Sequence, residues 1–184
     1  MKTIIYEIPD TKREFRRYDV HAREIYNKIK GNLAEKTVYF DDLGLRTTTM
    51  AQLPAILAAC NGKLEGKVIL DLGCGSELSV DGVYRPFKPW LARALHEYGV
   101  KVIGVDNQPH LGEEFEYYQR DLMKEDSLSM IDNNSVDVVN AVQLLDSPIL
   151  QRIHGLSAHK KLEENLLKQV PRILKPDGTF IYTI

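Results

Sequence analysis

The segment KVILDLGCGS, Lys67 to Ser76, constrains the fold more than any other stretch of the chain. An apolar run ends in Asp71 and gives way at once to Gly73-Cys74-Gly75-Ser76. Thirty-five residues after Asp71, a second apolar run, Lys101 to Val105, ends in another acid, Asp106. Short apolar runs bounded by glycine turns read as strands buried in a parallel sheet. In a nucleotide-binding α/β domain, glycines let the backbone pass close to a ligand, and an acid at the tip of the next strand bonds the ribose hydroxyls. The two features together point to a nucleoside-containing ligand held at the carboxyl ends of the strands.

The glycine spacing separates two cofactor classes. A dinucleotide fingerprint reads G-x-G-x-x-G, and its third glycine brings the next helix close to the sheet. Here the stretch from Gly73 reads G-C-G-S-E-L, so Leu78 stands where the third glycine belongs. The acid of the dinucleotide pattern follows at about 20 residues, whereas 31 residues separate Gly75 from Asp106. A nicotinamide-dependent enzyme is therefore disfavoured.

D-L-G-C-G-S resembles motif I of the class I S-adenosylmethionine-dependent methyltransferases, and V-I-G-V-D-N resembles their motif II. Further segments resemble the family in order: Gln119-Arg120-Asp121-Leu122 after its third strand, Ser135 to Asn140 as its fourth, and Arg172 to Thr179 as the helix exit and glycine turn before its fifth. The resemblance spans residues 63–184. Ordinary βα turns of some other Rossmann-like domain would have to match these downstream segments one by one.

The resemblance implies a three-layer α/β/α Rossmann-like sandwich with a mostly parallel sheet of about five strands in the order 3-2-1-4-5. It assigns residues 63–184 to the cofactor-binding core and 1–62 to an N-terminal helical cap. It also implies site residues. Asp71 would order the turn or bind the methionine amino group, while Gly73, Cys74, Gly75 and Ser76 line the methionine moiety. Asp106 would take both ribose hydroxyls, and Asn107 would flank the adenine. Asp121 would accept from the adenine amino group beside the Leu122 N–H. Asn140 and Gln143 fall where the family lines the sulfonium and the acceptor.

Periodicity supplies the rest of the framework. Strands are expected at 67–72, 101–106, 115–119, 136–141 and 179–184. Val20, Ile25, Ile29 and Leu33 recur at helical intervals between Asp19, a candidate N-cap, and Lys36. A second helix is expected from Thr49 to Cys60, with 38–44 between them as a loop. The basic run Lys12 to Arg17 reads as a solvated face at the terminus. The last helix runs from Ala158 to Leu174 on a stripe of Leu162, Leu166, Val170 and Ile173, and Pro171 should kink or shorten it.

The 184 residues suit one domain. A net charge of −2 gives no reason to expect a nucleic-acid partner. Two cysteines make neither a disulfide framework nor a zinc site, and Cys74 reads as a small residue fitted into a turn rather than a nucleophile. No metal is expected. The apolar run at the start is too short for a signal peptide and no later run is long enough to span a bilayer, which makes the cytoplasm the default compartment.

Two stretches depart from the family. Residues 77–89 lengthen the first crossover by about ten residues, which places Tyr84 and Arg85 as candidate lid or substrate contacts, while Trp90 is expected to anchor the next helix. The chain stops at Ile184, inside the expected fifth strand, without the family's sixth and seventh. That leaves an apolar edge to be covered by a partner chain, a second copy or the N-terminal segment. Asn140-Ala141-Val142-Gln143 lacks the D/N-P-P-Y/F of amino-group methylators of DNA or protein, and there is no Pro-Cys pair for cytosine C5 chemistry. His154 and His159 read as surface residues rather than bases. The expectation is a methyltransferase acting on a small-molecule oxygen or nitrogen acceptor, with S-adenosyl-L-methionine as cofactor. The alternative is a non-catalytic binding module that assembles through an exposed fifth strand.

Overall fold

The computed structural model describes residues 2–5, 11–37, 40–76, 88–109, 112–142, 144, 145, 147, 150, 155 and 157–183. Among these residues six strands form one parallel sheet: β1 (Lys2–Ile5), β2 (Val68–Leu72), β3 (Lys101–Asp106), β4 (Glu116–Gln119), β5 (Val136–Ala141) and β6 (Leu174–Tyr182). Their spatial order is β1-β6-β5-β2-β3-β4, and every neighbouring pair is parallel. Counted without β1, the five strands follow the order 3-2-1-4-5 of the doubly wound Rossmann-like fold.

The period of two along each strand sorts the side chains into two cores. Ile69, Val102, Val138 and Ile181 face a core shared with α1 (Thr11–Lys36), α2 (Asp42–Ala59) and α3 (Trp90–Glu97). Leu70, Leu72, Ile103, Val105, Val139 and Phe180 face the other, shared with α4 (Ala158–Ile173) and residues 122–131. Helices on both faces make three layers and explain why β2, VILDL, is apolar on both sides. No helix among the described residues is long and apolar enough to cross a membrane.

The N-terminal segment differs from the expected purely helical cap. Its strand β1 pairs with β6, Lys2 beside Thr179 and Ile5 beside Tyr182, so the edge expected to stand open is covered from within the chain. Helix α1 starts at Thr11, which places Asp19 inside it and the basic run in its first two turns. Phe15 extends the buried stripe of Ala22, Ile25, Tyr26, Ile29 and Leu33, whereas Val20 lies off that stripe and is 67% exposed. Helix α2 begins at Asp42, within the expected loop, because Asp41 caps it by accepting the Gly44 N–H at 3.0 Å. Gly44 is confined there, since a Cβ would run into Asp41 Oδ2 and stand 2.8 Å from Trp90 Nε1.

At the other end, Pro171 does not shorten α4, which continues to Ile173. A proline this close to a helix end forfeits one hydrogen bond and disturbs no following turn. The Lys175-Pro176-Asp177-Gly178 turn is absorbed as an irregularity in β6: Val136 pairs with Leu174, and Val138 next pairs with Thr179.

Candidate functional site

Strand register assembles the site at the carboxyl ends of β2, β3 and β5. Asp71 on β2 lies between Gly104 of β3 and Asn140 of β5. All three positions belong to the face that α2 covers, because they alternate with Ile69, Val102 and Val138. The Asp71 and Asn140 side chains therefore meet: Asn140 Nδ2 donates to Asp71 Oδ1 at 2.8 Å. The same nitrogen donates to Gln52 Oε1 of α2, also at 2.8 Å. All three residues are buried. Burial pushes the Asp71 carboxyl up to about 7; the Asn140 amide opposes the rise and the Asp106 charge adds to it.

The glycine turn has the conformation its sequence implies. Gly73 and Gly75 take φ of +68° and +93°, the left-handed region that glycine enters without a Cβ penalty. Gly73 N–H and Cys74 N–H both donate to Val105 O, at 2.8 and 3.3 Å. Cys74 points into the packing against Gly104, where a Cβ would stand 2.9 Å from its Sγ, so strand β3 has glycine where the turn needs room. Burial raises the Cys74 thiol well above its ordinary range, as befits a packing group rather than a nucleophile. Ser76 Oγ donates to the Pro109 carbonyl and ties the turn to the chain beyond β3.

Asp106 closes the turn from the other side. Its Oδ2 accepts the Gly75 N–H at 2.9 Å and its Oδ1 the Gln108 N–H at 3.0 Å. Burial raises its carboxyl, against the backbone N–H groups of Gln108, Gly75 and Asn107. The Asn107 carbonyl accepts from Gln119 Nε2 at 3.1 Å, and its own side chain is exposed. Beyond β4, Asp121 Oδ1 accepts the Met123 N–H at 3.0 Å, which sets the turn that carries Leu122. Asn165 of α4 holds that turn from below, donating to Leu122 O at 2.6 Å and Lys124 O at 2.7 Å.

Asp71, Gly73, Cys74, Gly75, Ser76 and Asp106 thus come together as one unit, with Asn140 beside Asp71. Asp121 and Leu122 follow β4, the neighbour of β3, rather than touching that unit. Tyr84, Arg85, Gln143 and His154 lie outside the described residues, and His159 is exposed on α4. Trp90 is 3% exposed at the start of α3, packed edge-on against Phe40 with ring centroids 5.8 Å apart, which is the anchoring role expected of it. Arg93 lies over the same ring and forks onto Glu113 at 2.8 and 2.5 Å, binding α3 to the segment before β4.

Two contributors had no motif to announce them. Gln52 and Asn165 act from helices, reaching the strand ends across 88 and 43 residues of chain respectively. The available signal was polarity in the wrong place: Thr48, Thr49 and Gln52 interrupt the otherwise apolar buried face of α2.

The site is rich in acceptors. Two raised carboxyls stand at the ends of adjacent strands, and buried Asn140 Oδ1 has no partner. That set of acceptors suits a ligand carrying hydroxyls and a positive charge, as S-adenosylmethionine does.

Neither a protein-family model nor a curated protein sequence matches the chain. Among solved structures, a SAM-dependent methyltransferase from Archaeoglobus fulgidus is similar at 19% identity and a TM-score of 0.37. The likeness covers 66% of this chain and 46% of that protein's length. The fold assignment rests on the strand order itself.

Proposed function

We propose that the chain is an S-adenosylmethionine-dependent methyltransferase acting on an oxygen or nitrogen of a small molecule. The observation that carries the reading is the union of the glycine turn and the acid at the end of β3, made by the Gly75 N–H to Asp106 contact at 2.9 Å. A nucleoside bound there has a glycine turn for close approach and a carboxylate for its ribose.

In this reading Asp106 orients the ribose, and the Asp121 turn with Leu122 lies beside the adenine. Asp71 and Asn140 hold the amino-acid end. The bound cofactor supplies an activated methyl carbon on a sulfonium. The protein's own part is alignment and exclusion of water, so no fixed base is required. The enclosed setting of Asp71 and Asn140, 4% and 1% exposed, supports that division of labour.

A calorimetric titration with S-adenosylmethionine and S-adenosylhomocysteine, with NAD as control, tests the reading. Micromolar binding of the first two and none of NAD is the expected result. Turnover in an acceptor screen would then separate an enzyme from a binding module. NAD binding, or no binding of any of the three, would overturn the proposal.

A further inference from the structure

The buried hydrogen bonds around Asn140 do not close, and the imbalance is one-sided. Asn140 has two amide hydrogens and an oxygen able to accept. Both hydrogens face acceptors, Asp71 Oδ1 and Gln52 Oε1, each at 2.8 Å. A carboxylate on one side and an amide oxygen on the other set which way the Asn140 amide points. Its Oδ1 is thereby turned away from both, and it is buried without a partner. The second such atom among the described residues is Thr49 Oγ1, on a side chain with no exposed surface. Thr49 stands one turn before Gln52 on the same face of α2. Asn140 Oδ1 is therefore an orphaned acceptor bonded through its own amide to a buried carboxyl, and Thr49 adds, one turn from Gln52, a buried hydroxyl whose hydrogen and lone pairs are both unmatched. Burying such groups unpaired is costly, and a donor restores what was lost.

We propose that Thr49 and Gln52 of α2 belong to the ligand site, where Gln52 is a positioning residue that holds the Asn140 oxygen, with Thr49 Oγ1 beside it, toward the primary ammonium of the ligand's amino-acid end. The inference rests on the methyltransferase reading and adds to it a recognition element from outside the strand ends. A primary ammonium brings three donors, which the Asn140 oxygen and the Thr49 lone pairs can accept, and a positive charge to set against an ionised Asp71. A neutral water would satisfy one orphan and leave the negative charge of an ionised Asp71 unbalanced. The role given to α2 also accounts for its composition, since a helix packed on a sheet has no structural use for a threonine hydroxyl without a partner.

The test compares two probes by competition calorimetry: S-adenosylhomocysteine, and the same molecule with its amino group replaced by hydrogen. Wild-type protein should prefer the first by about tenfold or more, the scale of a charge-assisted hydrogen bond. In Gln52→Leu and in Thr49→Val that preference should shrink several-fold, while affinity for the desamino probe stays near wild type. Thr49→Val should also leave the melting temperature of the free protein unchanged or higher, because it removes an orphaned hydroxyl. A merely structural role predicts a lower melting temperature and equal weakening of both probes. Equal weakening, no change in either variant, or a wild type without preference would overturn the inference while the methyltransferase reading stands. A wild type that binds neither probe overturns that reading instead.

Discussion

Gly75 donates its backbone N–H to Asp106 Oδ2 at 2.9 Å, so the turn after β2 and the acid at the end of β3 form one structural unit. Asp106 Oδ1 accepts from Gln108 N–H at 3.0 Å. An ionised carboxylate offers about four lone-pair sites, so the backbone N–H groups of Gly75, Gln108 and Asn107 leave Asp106 capacity to accept from the ribose. Asp106 thus serves both the turn and the ligand.

Asp106→Ala should therefore abolish S-adenosylhomocysteine binding and also destabilise the protein by about 1–3 kcal/mol, the cost of leaving backbone N–H groups unpaired. Asp106→Asn keeps one acceptor and should fall between the two. Calorimetry and urea denaturation read the two effects separately. Wild-type affinity in the alanine variant would refute the assigned role.

Asp71 makes folding stability depend on pH in an unusual direction. Its folded carboxyl is raised by burial from an ordinary value of 3.8 to about 7. Between those values the folded state holds a proton that the unfolded state has released. Stability should then fall as pH rises from about 4 to about 7 and level off above, by an amount on the order of a few kcal/mol. Asp71→Asn keeps an oxygen for the Asn140 amide and cannot titrate. Urea midpoints for this variant should lack the decline. Binding of an ammonium should favour the ionised Asp71, so S-adenosylhomocysteine affinity should rise toward pH 7 in the wild type and not in the variant.

Gly73 faces two penalties if replaced. Its φ of +68° costs an alanine about 1–2 kcal/mol. A Cβ would also stand 2.7 Å from Leu144 Cδ1, the mobile end of a side chain that can turn aside. Backbone strain should dominate. Gly73→Ala should cost about 1–2 kcal/mol in the wild type and nearly as much in a Leu144→Ala background, as read by chemical denaturation. A cost that vanishes in that background would show that the contact, not the dihedral, decides.

Asp137 sits at the opposite end of the sheet from the site. It accepts the Val68 N–H at 2.9 Å, and Lys67 and Lys175 approach it at 3.1 and 2.6 Å. Both lysines are more than one-third exposed, so the ion pairs contribute little, while the backbone contact is the larger part. Burial pushes the Asp137 carboxyl up, but these partners outweigh it and hold it below the usual range. Its stabilising contribution is therefore present above the ordinary carboxylate pKa and lost as pH falls through the depressed one. Asp137→Ala should cost about 1–3 kcal/mol and Asp137→Asn less, with ligand affinity unchanged in both. Loss of affinity in either would mean that the two ends of the sheet are coupled.

The residues gathered at the strand ends were legible because a parallel α/β sheet brings the ends of its buried apolar runs to one edge of the sheet. Asp71 and Asp106 close such runs, and the positive φ at Gly73 and Gly75 follows from residue type. The start of α2 was misread because Asp41 and Asp42 look like loop residues until one of them is seen to cap the helix. Asp19 made the opposite error, a capping residue type in the middle of α1. Local chemistry proposes caps, and only packing decides which of them are used.

What the amino-acid sequence determined by itself was everything that depends on neighbours along the chain: the buried strands, the glycine turn, the acids that follow them and the order in which they recur. Only the tertiary structure decided that β1 covers the outer edge of β6, because four residues at a terminus carry no record of which edge they will join. It alone decided that Gln52 reaches Asn140 across 88 residues, because that contact depends on how α2 lies on the sheet. The orphaned oxygens of Asn140 and Thr49 belong to the same class. An unmet hydrogen bond is a property of the whole surroundings of an atom, and no stretch of sequence contains those surroundings.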